Sequence, residues 1–540
     1  MEEIFKEPCN EYYKIFNTKK DDSYKYRYLS PFEFKNILIE LAKKKMKNIP
    51  ILNAGRGNPN FFSTVPRSAF GLLNVYCSII GGNETSLPMV GLMPPEKLCE
   101  KKLLSYLQVT RNTISGEFLW KAYHLMKLIT KFSGDKLAHN IVISTLGCFY
   151  PSPPRIQPYV EPVLLKFLSK CIFKMDMSNF KVFTTEGATA AIVYTFNCLK
   201  YNQLVNPGDK IGILTPIFSP YIEFPNLKNY DLVQICIKAD EDNDWNIPDS
   251  ELKKIGNTDL KALFLCNPTN PTGKALPKKT IKKIANLIRK KNPNLIIIVD
   301  NVYAPFVENF YSFLEEIPQN TISIYSFSKY FGVTGWRLGT VLMSNDNIID
   351  KKLLRNKTHN RYLSRYSISS TKPQNIKFID RMVLDSREVA EGHTAGLSTP
   401  QQVIMTLFAM SELMDPKGIY NKNLKNLLKK RITLLCKPLK HKIGLSPLDT
   451  NYYIVLNIVK IAQNLFNDDN FAKYLQNKND PLEFLTKLAK KYGTVCLPAI
   501  GFAGPFWGIR VSIANLNTQA YPAIGQNIKL LLIDYFNEFK

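Results

Sequence analysis

The sequence predicts an α/β protein built on a mostly parallel sheet with helices on both faces. Three features predict it. Beyond about residue 155, short continuous apolar runs recur at Ile211–Thr215, Ala262–Cys266, Leu295–Val299, Thr321–Tyr325 and Thr340–Met343. Amphipathic stretches such as Thr280–Lys290 separate them, and strands apolar on both faces need a cover on both, the situation of a parallel sheet between helices. Breaks rich in Gly, Pro, Asn and Ser follow several of these runs, and the residues able to do chemistry fall in those breaks. Sites in open parallel sheets lie at strand C-terminal ends.

Composition narrows the class. A chain of 540 residues is long enough for several domains or for one large two-domain enzyme. Its 45% hydrophobic and 21% charged content excludes disordered and fibrous classes. Lys and Arg outnumber Asp and Glu by 71 to 45, a net charge of +26, but the lysines fall in pairs and triplets on helical-looking segments (Lys43–Lys45, Lys282–Lys283, Lys429–Lys430) with no basic tail. They read as solvated faces, so no nucleic-acid partner is expected. The ten cysteines are scattered without a C-x-x-C pair and the five histidines are isolated, so reduced thiols and no metal site are expected. The N-terminal M-E-E-I-F-K-E-P-C-N has no apolar leader core, and no run approaches the roughly 20 apolar residues of a membrane span. A soluble, cytoplasmic protein with no membrane partner is the expectation.

In chain order, Ser30 and Pro31 mark the N-cap and first position of a helix running through Phe34, Ile37, Leu38 and Leu41. Leu52–Asn60 is a turn-rich stretch in which Gly55 and Gly57 expose Arg56 and let the backbone approach a ligand. Residues 66–148 read as mainly helical, with loops at Leu87-Pro88 and Met93–Pro95, and Leu146–Arg155 is a proline-rich corner presenting Tyr150. Beyond residue 400 the pattern gives helices at Gln401–Met414 and Asn421–Leu435, strands at Tyr452–Leu456 and Ile509–Ser512, and a final helix ending Tyr535–Phe539.

The chemistry centres on Ser323–Gly339, a strand breaking into a turn with Ser326, Ser328 and Lys329, followed eight residues on by Arg337. A lysine beside Ser and Arg suits an aldehyde carrying a phosphate: the amine can form a Schiff base, while Arg and Ser hold the phosphate. Pyridoxal 5'-phosphate is the candidate. Thr184–Ala191 opens a helix with small residues, leaving the backbone N–H groups of Ala188 and Thr189 as an anion site. Thr215–Tyr221 places Phe218 or Tyr221 where a ring could stack on a planar cofactor. Cys266–Gly273 carries two Asn-Pro units, and Asn270 can donate to a phenolate-like oxygen. Asp300 closes a buried strand, a position that needs a cationic partner such as a pyridinium N–H, and Tyr303 follows as a second donor to the ring oxygen.

In this order N-P-x-N-P-T-G, D-x-x-Y and S-x-S-K with Arg eight residues on resemble the fold-type I pyridoxal-phosphate aminotransferases. The resemblance implies a large domain whose mostly parallel seven-stranded sheet lies between helices, plus a smaller α+β domain. It implies Lys329 as the cofactor's lysine, Asp300 at the ring nitrogen, Asn270 and Tyr303 at the ring oxygen, and Phe218 stacked on the ring. Ser326, Arg337, Ala188 and Thr189 fall to the phosphate, Tyr150 to the phosphate of a neighbouring subunit, and Arg510 to the substrate α-carboxylate. L-S-P-F-E at 29–33, N-A-G-R-G-N-P-N at 53–60, T-E-G-A-T-A-A at 185–191, H-T-A-G-L-S-T-P-Q-Q at 393–402 and R-V-S-I-A-N-L at 510–516 resemble, more narrowly, the aspartate 4-decarboxylase branch. That branch implies β-decarboxylation of L-aspartate to L-alanine and CO2 with side aminotransferase activity on 2-oxo acids. It also implies Arg56 and Gly57 on the substrate side, a homodimer as the minimal active unit and a larger homo-oligomer.

The expected division is residues 1–150 as N-terminal arm, part of the small domain and a helical insertion, 151–395 as the large cofactor domain and 396–540 as the rest of the small domain. Two other readings stay open: a plain aspartate aminotransferase, and a non-catalytic nucleic-acid-binding protein on the same fold.

Overall fold

The structure is a computed structural model describing residues 25–27, 29–45, 50–355, 360–387, 396–444, 446–478 and 480–540. His393, Thr394 and Ala395 of the H-T-A-G motif, and the N-terminal segment with Cys9, lie outside the described residues. Twelve strands occur among those described: β1 (Leu52–Asn53), β2 (Phe180–Thr185), β3 (Lys210–Thr215), β4 (Val233–Lys238), β5 (Leu260–Cys266), β6 (Ile296–Asp300), β7 (Thr321–Ser326), β8 (Gly339–Ser344), β9 (Tyr453–Asn457), β10 (Thr494–Val495), β11 (Leu497–Pro498) and β12 (Gly508–Ser512).

Seven of them form the major sheet in the order β2-β8-β7-β6-β5-β3-β4. Pairings are parallel from β7 through β6, β5 and β3 to β4, whereas β8 is antiparallel to both its neighbours. The central strands β6 and β7 are buried at every position, the reason their sequences are unbroken apolar or small-residue runs. The reversal of β8 matters for the site. Its first residue, Gly339, pairs with Ser326 and with Thr185, the last residues of β7 and β2, so Arg337 arrives at the same sheet edge as the groups that follow the parallel strands.

Two strands of the major sheet were not anticipated, nor were the two-residue strands β1, β10 and β11. β4 at one edge and β2 at the other are exposed at Val233, Lys238 and Lys181; edge strands half-covered by solvent mix polar with apolar residues and lack the continuous run that marks a central strand. Eight cysteines among the described residues are free, as expected.

The helix at Pro31–Lys45 begins as expected, with the Glu33 N–H donating to Ser30 Oγ. Residues 66–148 form four helices, Val65–Gly82, Cys99–Thr110, Ile114–Thr130 and Gly134–Leu146, which pack on one another and on Thr399–Leu413. Two small sheets complete the frame. β9, β12 and β11 form an antiparallel sheet with β12 in the middle, and β1 pairs with β10 in parallel. From β1 the chain passes into Ala54–Gly57, pinned by Ala54 N–H to Val495 O and Ser512 N–H to Ala54 O. That loop is thereby carried to the C-terminal edge of the major sheet.

Candidate active site

A cavity of about 310 Å³, open to solvent, lies at that edge. It is lined by Gly57, Ala188, Thr189, Phe218, Asn270, Asp300, Tyr303, Ser326, Lys329, Arg337 and Arg510, and also by Phe32, Asn58, Tyr221, Cys266, Val302, Ser328, Thr334 and Tyr453. Eleven residues picked from the sequence thus meet in one place. Two do not line it: Arg56 is exposed beside Gly57, and Tyr150 is exposed at the proline-rich corner.

Several of these side chains are delivered by strand ends. Lys329 stands three residues beyond β7, on a turn whose Phe327 and Phe331 are fully buried and stack at 5.5 Å. With those rings locked in the core, the lysine points the other way, and its Nζ donates to the Gly57 carbonyl over 3.1 Å. Burial first, then Arg510 and Arg337, push the Lys329 amine down to about 8, against the pull of Asp300. Near neutrality a useful fraction is therefore the neutral nucleophile.

Asp300 ends β6 and is 4% exposed. Its Oδ2 accepts from the Tyr221 hydroxyl at 2.8 Å and its Oδ1 from the Val302 N–H at 3.0 Å. Burial nevertheless raises its pKa, with Tyr221, Val302 and Lys329 acting against it. A buried carboxylate facing a cavity in this way favours a cationic N–H there.

Gly187, Ala188 and Thr189 open the helix Ala188–Tyr201 next to Arg337. Gly187 has φ +90°, and a Cβ on it would lie 2.5 Å from Arg337 Nη2. Likewise a Cβ on Gly339 would lie 2.6 Å from the Gly187 carbonyl carbon, so glycine at both positions brings helix N-terminus and guanidinium together. Arg337 itself has φ +56°, a left-handed conformation uncommon for a non-glycine residue. The hydroxyls of Ser326 and Ser328, 2.9 Å apart, complete this end. Backbone N–H groups, two hydroxyls and a guanidinium form a donor set for a phosphate.

Arg510 projects from the middle strand β12 and is 1% exposed. Nη1 donates to Asn270 Oδ1 at 3.1 Å and Nη2 to Gly55 O at 2.7 Å, while the buried Nε has no hydrogen-bond partner. Its guanidinium carbon sits 4.6 Å from the Tyr453 ring centre and 4.9 Å from that of Phe502. Burial lowers its pKa. A buried guanidinium that lines a cavity and whose donors are not all filled is suited to a ligand carboxylate.

Several residues in or beside the cavity were not anticipated. Tyr453 places its hydroxyl 3.0 Å from that of Tyr303, and Tyr452 donates its hydroxyl to Gly57 O at 3.0 Å; the doublet at the start of a strand was the available signal. Phe32 meets Phe218 edge-on at 5.7 Å and lies within the L-S-P-F-E stretch. Lys35, lowered by burial, then by Arg56 and also by Arg510, adds a further cation near the loop. Tyr221 serves Asp300, leaving Phe218 as the ring available for stacking.

The donor set therefore fits pyridoxal 5'-phosphate: a phosphate cradle at one end, a buried carboxylate in the middle, a depressed lysine between them and a carboxylate-seeking arginine opposite. Residues 151–524 match the family profile described as aminotransferase class I and II. The chain is 35% identical over 522 residues to a Pseudomonas bifunctional aspartate aminotransferase and L-aspartate beta-decarboxylase, covering 95% of this chain and 97% of the relative. In three dimensions it resembles a double mutant of Thermus thermophilus aspartate aminotransferase (TM-score 0.57, 15% identity, 98% of this chain and 99% of that one). It also resembles an aromatic aminotransferase from Pyrococcus horikoshii (TM-score 0.57, 18% identity, 91% and 99%). By cavity chemistry, sheet order and sequence, the chain belongs to the class I and II aminotransferases, a family of pyridoxal-phosphate-dependent enzymes.

Proposed function

We propose that the protein removes the β-carboxylate of L-aspartate as CO2 to leave L-alanine, with aspartate aminotransferase activity as its side reaction. The observation that carries this is the reach of the Pseudomonas alignment. It spans 522 residues whereas the family profile begins at residue 151, so most of the first 150 residues, including the four-helix segment, are shared with a bifunctional enzyme.

The cofactor, when bound, supplies an electron-withdrawing ring that takes up electrons from the bond being broken. The chain's own residues do the rest. Lys329 anchors the cofactor and moves the proton at the substrate α-carbon, for which a pKa of about 8 suits it. Asp300 faces the ring nitrogen, Asn270 and Tyr303 the ring oxygen, and Phe218 the ring face. Ala188, Thr189, Ser326 and Arg337 hold the phosphate. Arg510 takes the α-carboxylate and thereby fixes which bond faces Lys329, an orientation effect. Arg56, with Gly57, stands on the side of the second carboxylate. A tight grip there would stabilise the ground-state charge that must be lost, which agrees with the exposure of Arg56.

In this reading Tyr150 reaches the phosphate of a neighbouring subunit, in keeping with its exposure. The active unit is then a homodimer within a larger homo-oligomer. Residues 151–395 form the large domain, residues 396–540 with part of 1–150 the small one, and the enzyme works in the cytoplasm on small molecules, L-aspartate and 2-oxo acids. Among the described residues no helix is long and apolar enough to cross a membrane. Incubation of the loaded protein with L-aspartate alone is the test. Catalytic yields of alanine and CO2 support the decarboxylase, and turnover only with an added 2-oxo acid makes it a plain aminotransferase.

A further inference from the structure

We infer that Tyr453 is a positioning residue that couples the carboxylate clamp to the ring-oxygen clamp, so that a carboxylate held by Arg510 is felt at Tyr303. The inference rests on the roles just given to Arg510 and Tyr303. Tyr453 begins β9 and is 3% exposed. One end of it touches each clamp: the ring lies under the Arg510 guanidinium at 4.6 Å, and the hydroxyl is 3.0 Å from the Tyr303 hydroxyl. That bond crosses between the three-stranded sheet and the turn after β6 of the major sheet. The ring is also wedged, with Tyr303 edge-on at 5.5 Å and Tyr452 at 4.9 Å, so displacement of one end moves the other.

The bond has a direction. Two hydroxyls 3.0 Å apart share one proton between them. When Tyr453 donates, the Tyr303 proton is left for the ring oxygen of the cofactor; when Tyr303 donates to Tyr453, that proton is spent. A guanidinium against the Tyr453 ring makes Tyr453 the better donor, since the cation favours partial negative charge on the phenol oxygen. A carboxylate on Arg510 neutralises that bias, weakens donation to the ring oxygen, and raises the pH at which the lysine-linked chromophore titrates. The titratable and charged groups facing Tyr453 are Tyr303 after β6, Cys266 at the end of β5, Tyr452 beside it and Arg510 on β12. Lys329 lies across Gly57, where an added methyl group would be 2.7 Å from Tyr453 Oη and 3.5 Å from Lys329 Nζ.

The experiment titrates the visible absorption of the loaded protein over pH, with and without succinate, a dicarboxylate that has no amine to react. Tyr453→Phe keeps the ring under Arg510 and removes the hydroxyl. It leaves the Tyr303 proton to the ring oxygen alone, so the free protein is expected to titrate close to the unmodified one and the succinate-induced rise to shrink. In a Tyr303→Phe background the same change should add nothing, because its route is gone. A Tyr453→Phe protein whose succinate-induced rise equals that of the unmodified one, or additive shifts in the double variant, overturns the coupling. No turnover is needed for these readings, so they stand or fall apart from the identity of the product.

Discussion

The hydroxyl of Tyr221 donates to Oδ2 of Asp300 over 2.8 Å, and of the contacts that hold that buried carboxylate against the upward push of burial it is the strongest. Tyr221 comes from the segment after β3 and Asp300 from the end of β6, so two strand ends cooperate to keep one anion facing the cavity.

Tyr221→Phe removes that donor with little change of shape. The Asp300 pKa, already raised, rises further, and a larger fraction is protonated at any pH near it. Only the ionised carboxylate attracts a protonated ring, so cofactor affinity falls by about 10- to 100-fold, the worth of a hydrogen bond to a charged group. Titrating apoprotein with pyridoxal 5'-phosphate at several pH values checks it. The deficit should be largest at low pH and shrink as pH rises past the variant's Asp300 pKa; equal affinities throughout would count against the role of Tyr221.

Asp300→Asn reverses a cost in the apoprotein. The folded-state pKa of Asp300 is raised above the ordinary carboxylate value, so its contribution to stability is complete below that ordinary value and is lost as pH climbs through the folded one. At neutral pH the apoprotein therefore carries a buried charge that asparagine does not, and the apo variant should be the more stable by about 1–3 kcal/mol. Melting curves should show the gap closing as pH falls toward 4. The loaded variant should lose activity despite its firmer fold, the usual trade at a functional site.

Much of this was written in local sequence. Strands β3, β5, β6, β7 and β8 are continuous apolar runs ending in breaks, and one strand end after another places Phe218, Asn270, Asp300, Tyr303 and Lys329 within a few residues of its last hydrogen bond. What local sequence does not carry is pairing at a distance. Tyr453 meets Tyr303 across 150 residues, and two tyrosines at the start of a strand look like core until the partner sheet is in place. The edge strands β2 and β4 were hidden for the opposite reason, since solvent on one side allows polar residues such as Lys181 and Lys238 into the run. Arg56 shows the limit of motif reading: two flanking glycines set its exposure, but its place near Lys35 depends on the helix Pro31–Lys45, a separate element.

The pH at which apoprotein reacts with the cofactor reports on Lys329. Its amine is held down to about 8, so the rate of covalent attachment should climb as pH rises through that value and level off above it. Arg510 is the second-ranked cause of the depression; Arg510→Gln removes that cation and should shift the climb to higher pH. Stopped-flow absorbance measures both profiles, and borohydride trapping followed by peptide mapping should find the tag on Lys329. A tag on another lysine would remove the site assignment altogether.

Gly187→Ala tests the phosphate end without removing a charged group. The glycine holds φ +90°, and the new methyl would fall 2.5 Å from Arg337 Nη2 and 2.9 Å from its Cζ. Either the backbone leaves the left-handed region or the guanidinium swings out of the cradle, and both misplace donors that a phosphate needs. Strain of this kind is worth about 1–3 kcal/mol, so pyridoxal 5'-phosphate should bind about 5- to 150-fold more weakly. Unphosphorylated pyridoxal, which makes no demand on the cradle, should bind the variant and the unmodified protein alike. Equal losses for the two ligands would mean that the substitution disturbs Lys329 or the ring pocket, and that the helix Ala188–Tyr201 does not hold the phosphate.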